Sequence, residues 1–291
     1  MPLIKDKLAI CYTCFGETFR ESTINKLQNS YINDENLYYF ILTDDKKYFK
    51  NIKRKNLIVN EIKDFYKEYP HIEEYEPIIE AKDKNEYAKI FTDKNYLFPF
   101  SLMRFHFLQA IEYNINNISL TCTDTKINLD FLPLIELEPN TIINTISEWD
   151  ENTSKFGMNI ISDFLKKEYN HQIDQKVRVL DAAARIFCFK DIKQAKDFFD
   201  VWDRVMLYLY ESDQINIFKG SYVINDEYIL APIYRMFKLN NKHCHSCSSH
   251  RLFEVKHNVK KERFWKTLGY DGLQEHTNYE EFLKLNNLNN G

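Results

Sequence analysis

The sequence predicts an α/β protein with a mostly parallel sheet flanked by helices. Three observations predict it. Leu8 to Phe15 is an apolar, β-prone run, and a helical stretch from Glu21 to Asn29 separates it from a second such run, Leu37 to Thr43. A third short run, Leu57 to Asn60, repeats the pattern. Strands alternating with helices specify βαβ units, whose parallel strands are buried on both faces and lose polar alternation. Finally, Asn117-Ile-Ser-Leu-Thr-Cys-Thr-Asp-Thr-Lys-Ile127 is a β-prone run that meets an acidic residue, Asp124, at its end. In open sheets of this kind ligands gather outside the carboxyl ends of the strands. Asp residues also start turns after strands, so Asp124 alone does not decide between a ligand site and a turn.

The remaining elements follow in order. Residues 61 to 100 are charged and aromatic without clear periodicity and read as a helical or irregular excursion. Phe100 to Tyr113 reads as a helix with Leu102, Phe105, Leu108 and Ala110 on its apolar face. Leu132 to Asn140, with Pro133 and Pro139, reads as a loop or edge segment, and Phe156 to Tyr169 as a helix. Val177 to Phe189 reads as one strand whose small residues, Ala182 to Ala184, let it pass close to a ligand. Ile192 to Glu211 is a strong helix with Phe198, Phe199, Trp202 and Leu207, and Asp226 to Leu239 is another. Residues 1–240 are expected to form the main domain. Residues 241–291, rich in Lys, are expected to form an extension folded over the site.

Composition narrows the function. The chain has 291 residues, 44% hydrophobic, which is ample for a core, and carries 43 acidic against 39 basic residues. A net charge of −4 gives no bulk attraction to nucleic acid or anionic membrane. No run of about 18 apolar residues marks a membrane span, and the start of the chain lacks signal-peptide form. A soluble, cytoplasmic protein is expected (in the host cytoplasm if viral), with an AT-rich coding bias of viral or bacterial kind. Six cysteines are too sparse for a disulfide scaffold. Cys244 and Cys247, flanked by His243, His245 and His250, have the spacing of a zinc knuckle, but no second such pair lies nearby. The segment reads as a polar loop near an acceptor.

Four pieces carry a resemblance. They are the strand end with Tyr12, Thr13 and Cys14; the strand end Thr43-Asp44-Asp45; Ser101-Leu-Met-Arg104 before Asp124; and Asn225-Asp-Glu-Tyr-Ile-Leu230 opening a helix. Together with Arg251-Leu-Phe-Glu-Val-Lys-His-Asn-Val-Lys260 they make the chain resemble the GT-A (Rossmann-like) nucleotide-sugar glycosyltransferases. The likeness is greatest to glycosyltransferase family six, whose members retain configuration, and more distant to family eight. It covers residues 7 to 262. Ser101 to Arg104 is similar to the family's Ser-Met-Met-Arg helix. Leu120 to Lys126 is similar to its Phe-Cys-Met-Asp-Val-Asp strand, and Asn225 to Leu230 to its His-Asp-Glu-Ser-His-Leu.

The resemblance implies transfer of a sugar from a nucleotide donor, a UDP-sugar, to an acceptor hydroxyl. It implies Glu227 as the carboxylate beside the anomeric carbon and Asp226 as a holder of sugar hydroxyls. Without the resemblance Glu227 reads as an acidic residue favoured by the dipole in a helix's first turn. Donor-binding residues are expected to be Tyr12, Thr13, Thr43, Asp44, Arg104, Asp124, Lys126, Lys256 and Lys260. Trp149 and Trp265, in segments that read as irregular, are the candidates for lining the acceptor groove, with plain packing as the alternative reading. The family's Asp-x-Asp motif holds Mn or Mg, but here Lys126 takes the second position and repels a cation. Either no metal is required, or Asp124 holds one with Asp130 and water. A glycan is the expected acceptor. Two alternatives stand beside this: a sugar- or protein-binding module on a decayed transferase fold, and a phage-type transferase acting on modified DNA bases. A nucleotidyltransferase needs a Gly-rich basic loop after the first strand, which Cys14 to Arg20 resembles poorly.

Overall fold

The protein's structure is a computed structural model that describes residues 4–14, 16–29, 34–68, 107–121, 125–127, 137–144, 148–154, 157–180, 184–212, 214, 226–242 and 253–255. Its strands are β1 (Leu8–Cys14), β2 (Leu37–Thr43), β3 (Leu57–Glu61), β4 (Asn117–Thr121), β5 (Thr125–Ile127), β6 (Thr141–Asn144), β7 (Glu148–Asn152), β8 (Lys176–Leu180), β9 (Ala184–Cys188), β10 (Asn240–Lys242) and β11 (Phe253–Val255). Its helices are α1 (Glu17–Asn29), α2 (Ile62–Glu68), α3 (Met158–Tyr169), α4 (Ile192–Glu211) and α5 (Asp226–Phe237). Residues 107–112 are also helical.

Seven strands form the main sheet in the order β10-β6-β9-β4-β1-β2-β3. All are parallel except β9, which runs against both β4 and β6. A mostly parallel sheet flanked by helices is therefore what the chain builds. Two small antiparallel pairs accompany it, β5 with β11 and β7 with β8.

The sheet is buried on both faces because its central strands are apolar at odd and even positions alike. On one face Ala9, Cys11, Phe40, Ile142 and Phe187 pack against residues 107–112, α3, α4 and α5. On the other, Leu8, Ile10, Tyr12, Cys14, Ile41 and Ile186 pack with Leu27 of α1 and with Phe49. The first layer is dominated by rings. Phe187, Phe189, Phe198, Phe199, Phe107 and Trp202 are all fully buried. Phe198 alone lies 5.3 Å from Phe199 edge to face and 6.0 Å from Tyr234 in a stacked pair. Offset and edge contacts of this kind add about 0.5–1.5 kcal/mol per pair beyond area burial.

Several sequence expectations are corrected. The run from Val177 to Phe189 is two strands, not one: β8 pairs with β7, while β9 enters the main sheet. Trp149 lies in strand β7, opposite Val179, rather than in an irregular segment. Leu207 is 36% exposed, because α4's inward stripe runs through Val205, Met206 and Leu209. On the helix before β4 the expected inward side holds where it is described: Ala110 is buried and Leu108 packs against the core, joined by buried Phe107, while Leu102 and Phe105 lie outside the described residues.

Candidate functional site

Strand register gathers several chain ends on one edge of the sheet. Cys14 lies beside Thr43, and Thr43 beside Glu61, so β1, β2 and β3 finish in one row. Leu120 of β4 lies beside Cys11 of β1, so β4 ends at Thr121, level with Tyr12 and just short of that row. Antiparallel β9 starts there, with Ala184 opposite Thr121. The small residues expected to pass close to a ligand therefore lead into β9 at the carboxyl end of β4. Arg185 lies opposite Asn144, the last residue of β6.

Asp44 follows β2 directly, and its carboxylate is engaged within the chain. One oxygen accepts the Gly16 N–H at 3.0 Å and pairs with the Arg20 guanidinium. The Thr43 hydroxyl donates to the other at 3.2 Å. Gly16 turns the chain from β1 into α1 at φ 80°, a left-handed conformation that a residue with a Cβ adopts only with strain. The amino end of α1 thus receives an anion from the chain itself, where the helix dipole favours one. Burial opposes the charge on Arg20. The Asp44 hydrogen bond and charge, with Tyr48, outweigh that and hold its pKa above the ordinary value.

Tyr48 belongs to the 3-10 turn Lys46–Phe49, which follows β2 and is capped by Asp45 accepting the Lys47 N–H at 2.9 Å. Phe49 is buried beneath this turn, whereas Tyr48 is 41% exposed. The Arg20 guanidinium carbon lies 4.3 Å from the centre of the Tyr48 ring.

The other early residues divide between the two faces. Tyr12 is buried on the α1 face, with the Lys26 ammonium 5.2 Å from its ring centre. Thr43 is fully buried on that face, and Thr13, on the opposite one, is half-buried. Burial pushes the Cys14 thiol up to about 12, against the opposing pull of hydrogen bonds with Thr23 and Thr43. A thiol so raised is neutral at physiological pH and inert as a nucleophile.

A second part of the site lies past the end of β4. The chain continues into β5, which pairs with β11 from near the end of the sequence: Thr125 with Val255, Lys126 with Glu254 and Ile127 with Phe253. This antiparallel register makes Asp124 and Lys256 the sequence neighbours of the Thr125–Val255 pair. Both lie outside the described residues, as do Arg104, Asp130, Lys260 and Trp265. Residues 243–250 lie outside them too.

No protein-family model matches the chain, and no curated protein matches it in sequence. Among solved structures it is similar to the apo structure of WbbM, a bifunctional glycosyltransferase, at 13% identity and a TM-score of 0.34. The match covers 80% of this chain and 38% of that one, so the chain spans well under half of that neighbour's length.

Asp226 and Glu227 open α5, whose direction follows from what comes after it. The helix ends at Phe237, and β10 then enters parallel to β6, with Asn240 beside Thr141 at the amino edge of the sheet. Twelve helical residues span about 18 Å. The helix packs along the sheet face through Ile229, Leu230, Ile233 and Tyr234. Its amino end is therefore directed toward the carboxyl edge. Ala231, midway along the helix, packs with Val177 and Val179 of β8 and with Met158.

Arg20, Tyr48 and Glu61 escaped the sequence reading. The available signal was an acidic strand end, Thr43-Asp44-Asp45, facing a βα connection that carries a basic residue in its helix's first turn. Among the described residues no group of three or more His, Cys, Asp or Glu side chains could hold a metal ion. Among them, too, no helix is long and apolar enough to cross a membrane.

Proposed function

We propose that this protein is a glycosyltransferase that moves a sugar from a nucleotide donor, a UDP-sugar, to an acceptor hydroxyl of a glycan with retention of configuration. The observation that carries the proposal is the pairing of β5 with β11. It brings β11, which Lys256 and Lys260 follow in sequence, beside β5 with Lys126; β5 itself comes shortly after the carboxyl end of β4, the edge where an α/β sheet takes its ligand. The direction of α5 supports the same site. The family-six likeness supplies the individual residue roles.

The chemistry needs positive charge where the nucleoside diphosphate leaves. Arg104, Lys126, Lys256 and Lys260 are the groups assigned to that task, because fixed positive groups lower the barrier as negative charge develops. The sugar becomes oxocarbenium-like as its bond to the diphosphate breaks, and Glu227 stabilises or attacks the anomeric carbon. Asp226 holds sugar hydroxyls. The donor set does not fit a two-carboxylate cation clamp, since Lys126 offers an ammonium where the motif needs an oxygen ligand. Leaving-group stabilisation is accordingly assigned to the basic side chains.

Incubating the purified protein with a panel of nucleotide sugars and following nucleoside diphosphate release and glycan products by mass spectrometry tests the proposal. Donor-dependent release with a glycosylated product is expected. Binding of donors with neither hydrolysis nor transfer would favour a sugar-binding module instead.

A further inference from the structure

The main sheet has two edge strands, and they differ. β10 is three polar residues, Asn240–Lys242, too short to offer much of a ladder. β3 is Leu57–Glu61, and all of its residues are half-buried. The Tyr39 N–H donates to the Asn56 carbonyl at 2.8 Å, with Leu57 beside Tyr39 in the register. Asn56, Ile58 and Asn60 therefore turn their ladder groups toward β2, while Leu57, Val59 and Glu61 turn theirs outward. The Asp64 carboxylate takes the Glu61 N–H at 3.3 Å. Among the described residues the outward N–H and C=O groups of Leu57 and Val59 have no partner. Edge strands are commonly blunted by a proline, an inward charge or a bulge. β3 has none of these from Leu57 to Asn60, and its register with β2 is unbroken.

We propose that β3 is the interface of a homodimer, pairing antiparallel with β3 of a second copy about a two-fold axis at Ile58, so that the two main sheets become one. A hydrogen-bonded antiparallel pair needs outward groups on both residues. With Ile58 on the axis, Leu57 lies opposite the second copy's Val59 and Val59 opposite its Leu57, and both pairs meet that condition. Each face also meets its like, since Leu57 and Val59 pack in the layer of α1 and Ile58 in the layer of the aromatic core. The same register sets exposed Lys55 opposite Glu61, an attractive cross-strand pair. A two-fold parallel pairing would instead set Lys55 against Lys55. Asn60 lies opposite Asn56. The buried Asn60 amide nitrogen lacks a partner within the chain, and Asn56, whose own nitrogen is held by backbone carbonyls, offers its side-chain oxygen. Such a dimer stands or falls independently of the glycosyltransferase reading.

Sedimentation velocity on the full chain at rising concentration should show a monomer–dimer equilibrium. Val59→Pro removes an N–H that the single chain leaves unused, a change that edge strands tolerate. It should weaken dimerisation about tenfold to a hundredfold, because each dimer loses two hydrogen bonds, while the unfolding midpoint stays near that of the wild type. Ile58→Cys should form an intermolecular disulfide under mild oxidation, since the pair on the axis is not hydrogen-bonded and its Cα atoms stand about 4.5 Å apart. Leu57→Cys, whose two copies lie on a diagonal about 7–8 Å apart, should cross-link far more slowly. A wild type that stays monomeric at every concentration overturns the proposal and leaves the edge to a strand of another protein. So does a dimer that survives Val59→Pro undiminished, or one in which Leu57→Cys links as fast as Ile58→Cys. Should Val59→Pro fail to fold, the two cysteine variants decide alone.

Discussion

Asp44 and Gly16 are joined across the end of the sheet by a 3.0 Å hydrogen bond from the Gly16 N–H to the Asp44 carboxylate, which also pairs with Arg20. One side chain thus ties the end of β2 to the start of α1. Removing it leaves the Arg20 guanidinium nearly buried and without its counter-charge. Breaking such a pair from one side costs about 3–5 kcal/mol, because the remaining charge is stranded. Asp44→Ala should therefore lower the free energy of unfolding in urea by about that amount. A loss below about 1 kcal/mol would mean that water replaces the carboxylate at little cost.

Glu61 gives the pH dependence a local origin. The Lys63 ammonium beside its carboxylate, followed by the Lys46 N–H, holds its pKa below the ordinary carboxylate value despite the opposing effect of burial. A carboxyl with a lower pKa when folded binds fewer protons than the unfolded chain does. Its contribution is complete above the ordinary value and is lost as pH falls through the folded one. Thermal unfolding of wild type and Glu61→Gln should differ at pH 7 and converge as the pH drops below about 4. A difference independent of pH would assign the effect to shape instead of charge.

How legible the chain was depends on what fixed each element. Helix α4 and strand β2 were readable to the residue, because Phe198, Phe199 and Trp202 mark a helical stripe and Leu37 to Thr43 is apolar throughout. β6, β10 and β11 were not, since runs as short as Asn240–Lys242 carry no periodicity and exist only because a neighbour offers backbone partners. The break between β8 and β9 was hidden for a related reason. Both halves are β-prone, and only their different pairings separate them. At the site, Asp44 was readable as a residue at a strand end. Its engagement with Gly16 and Arg20 was not, because the contact spans 24 to 28 positions and depends on the turn at Gly16.

Glu227 is the residue on which the proposed chemistry turns. It is the second residue of α5, whose amino end is directed toward the carboxyl edge of the sheet. Glu227→Gln keeps the side chain's shape and removes the charge that a cationic transition state requires. Turnover should fall on the order of 10²- to 10³-fold, with donor affinity within about twofold of wild type by titration. Turnover close to normal would shift the role to Asp226.

Lys126 tests how the leaving group is stabilised. Its backbone pairs with Glu254 in the β5–β11 ribbon, so the position it occupies is fixed even though it departs from the Asp-x-Asp pattern. An ammonium beside a diphosphate in a partly desolvated cleft acts far more strongly than on an open surface. If that is its role, activity should persist in EDTA, and Lys126→Ala should weaken nucleoside diphosphate binding about tenfold to a hundredfold, as expected for one charge-assisted hydrogen bond. Turnover should fall with it, since the charge grows as the bond breaks. The opposite pattern is equally concrete. Activity abolished by EDTA and restored by manganese, with Lys126→Ala harmless, would put a cation on Asp124, with Asp130 and water completing its shell. That result would overturn the metal-free mechanism and leave the proposed transfer reaction standing.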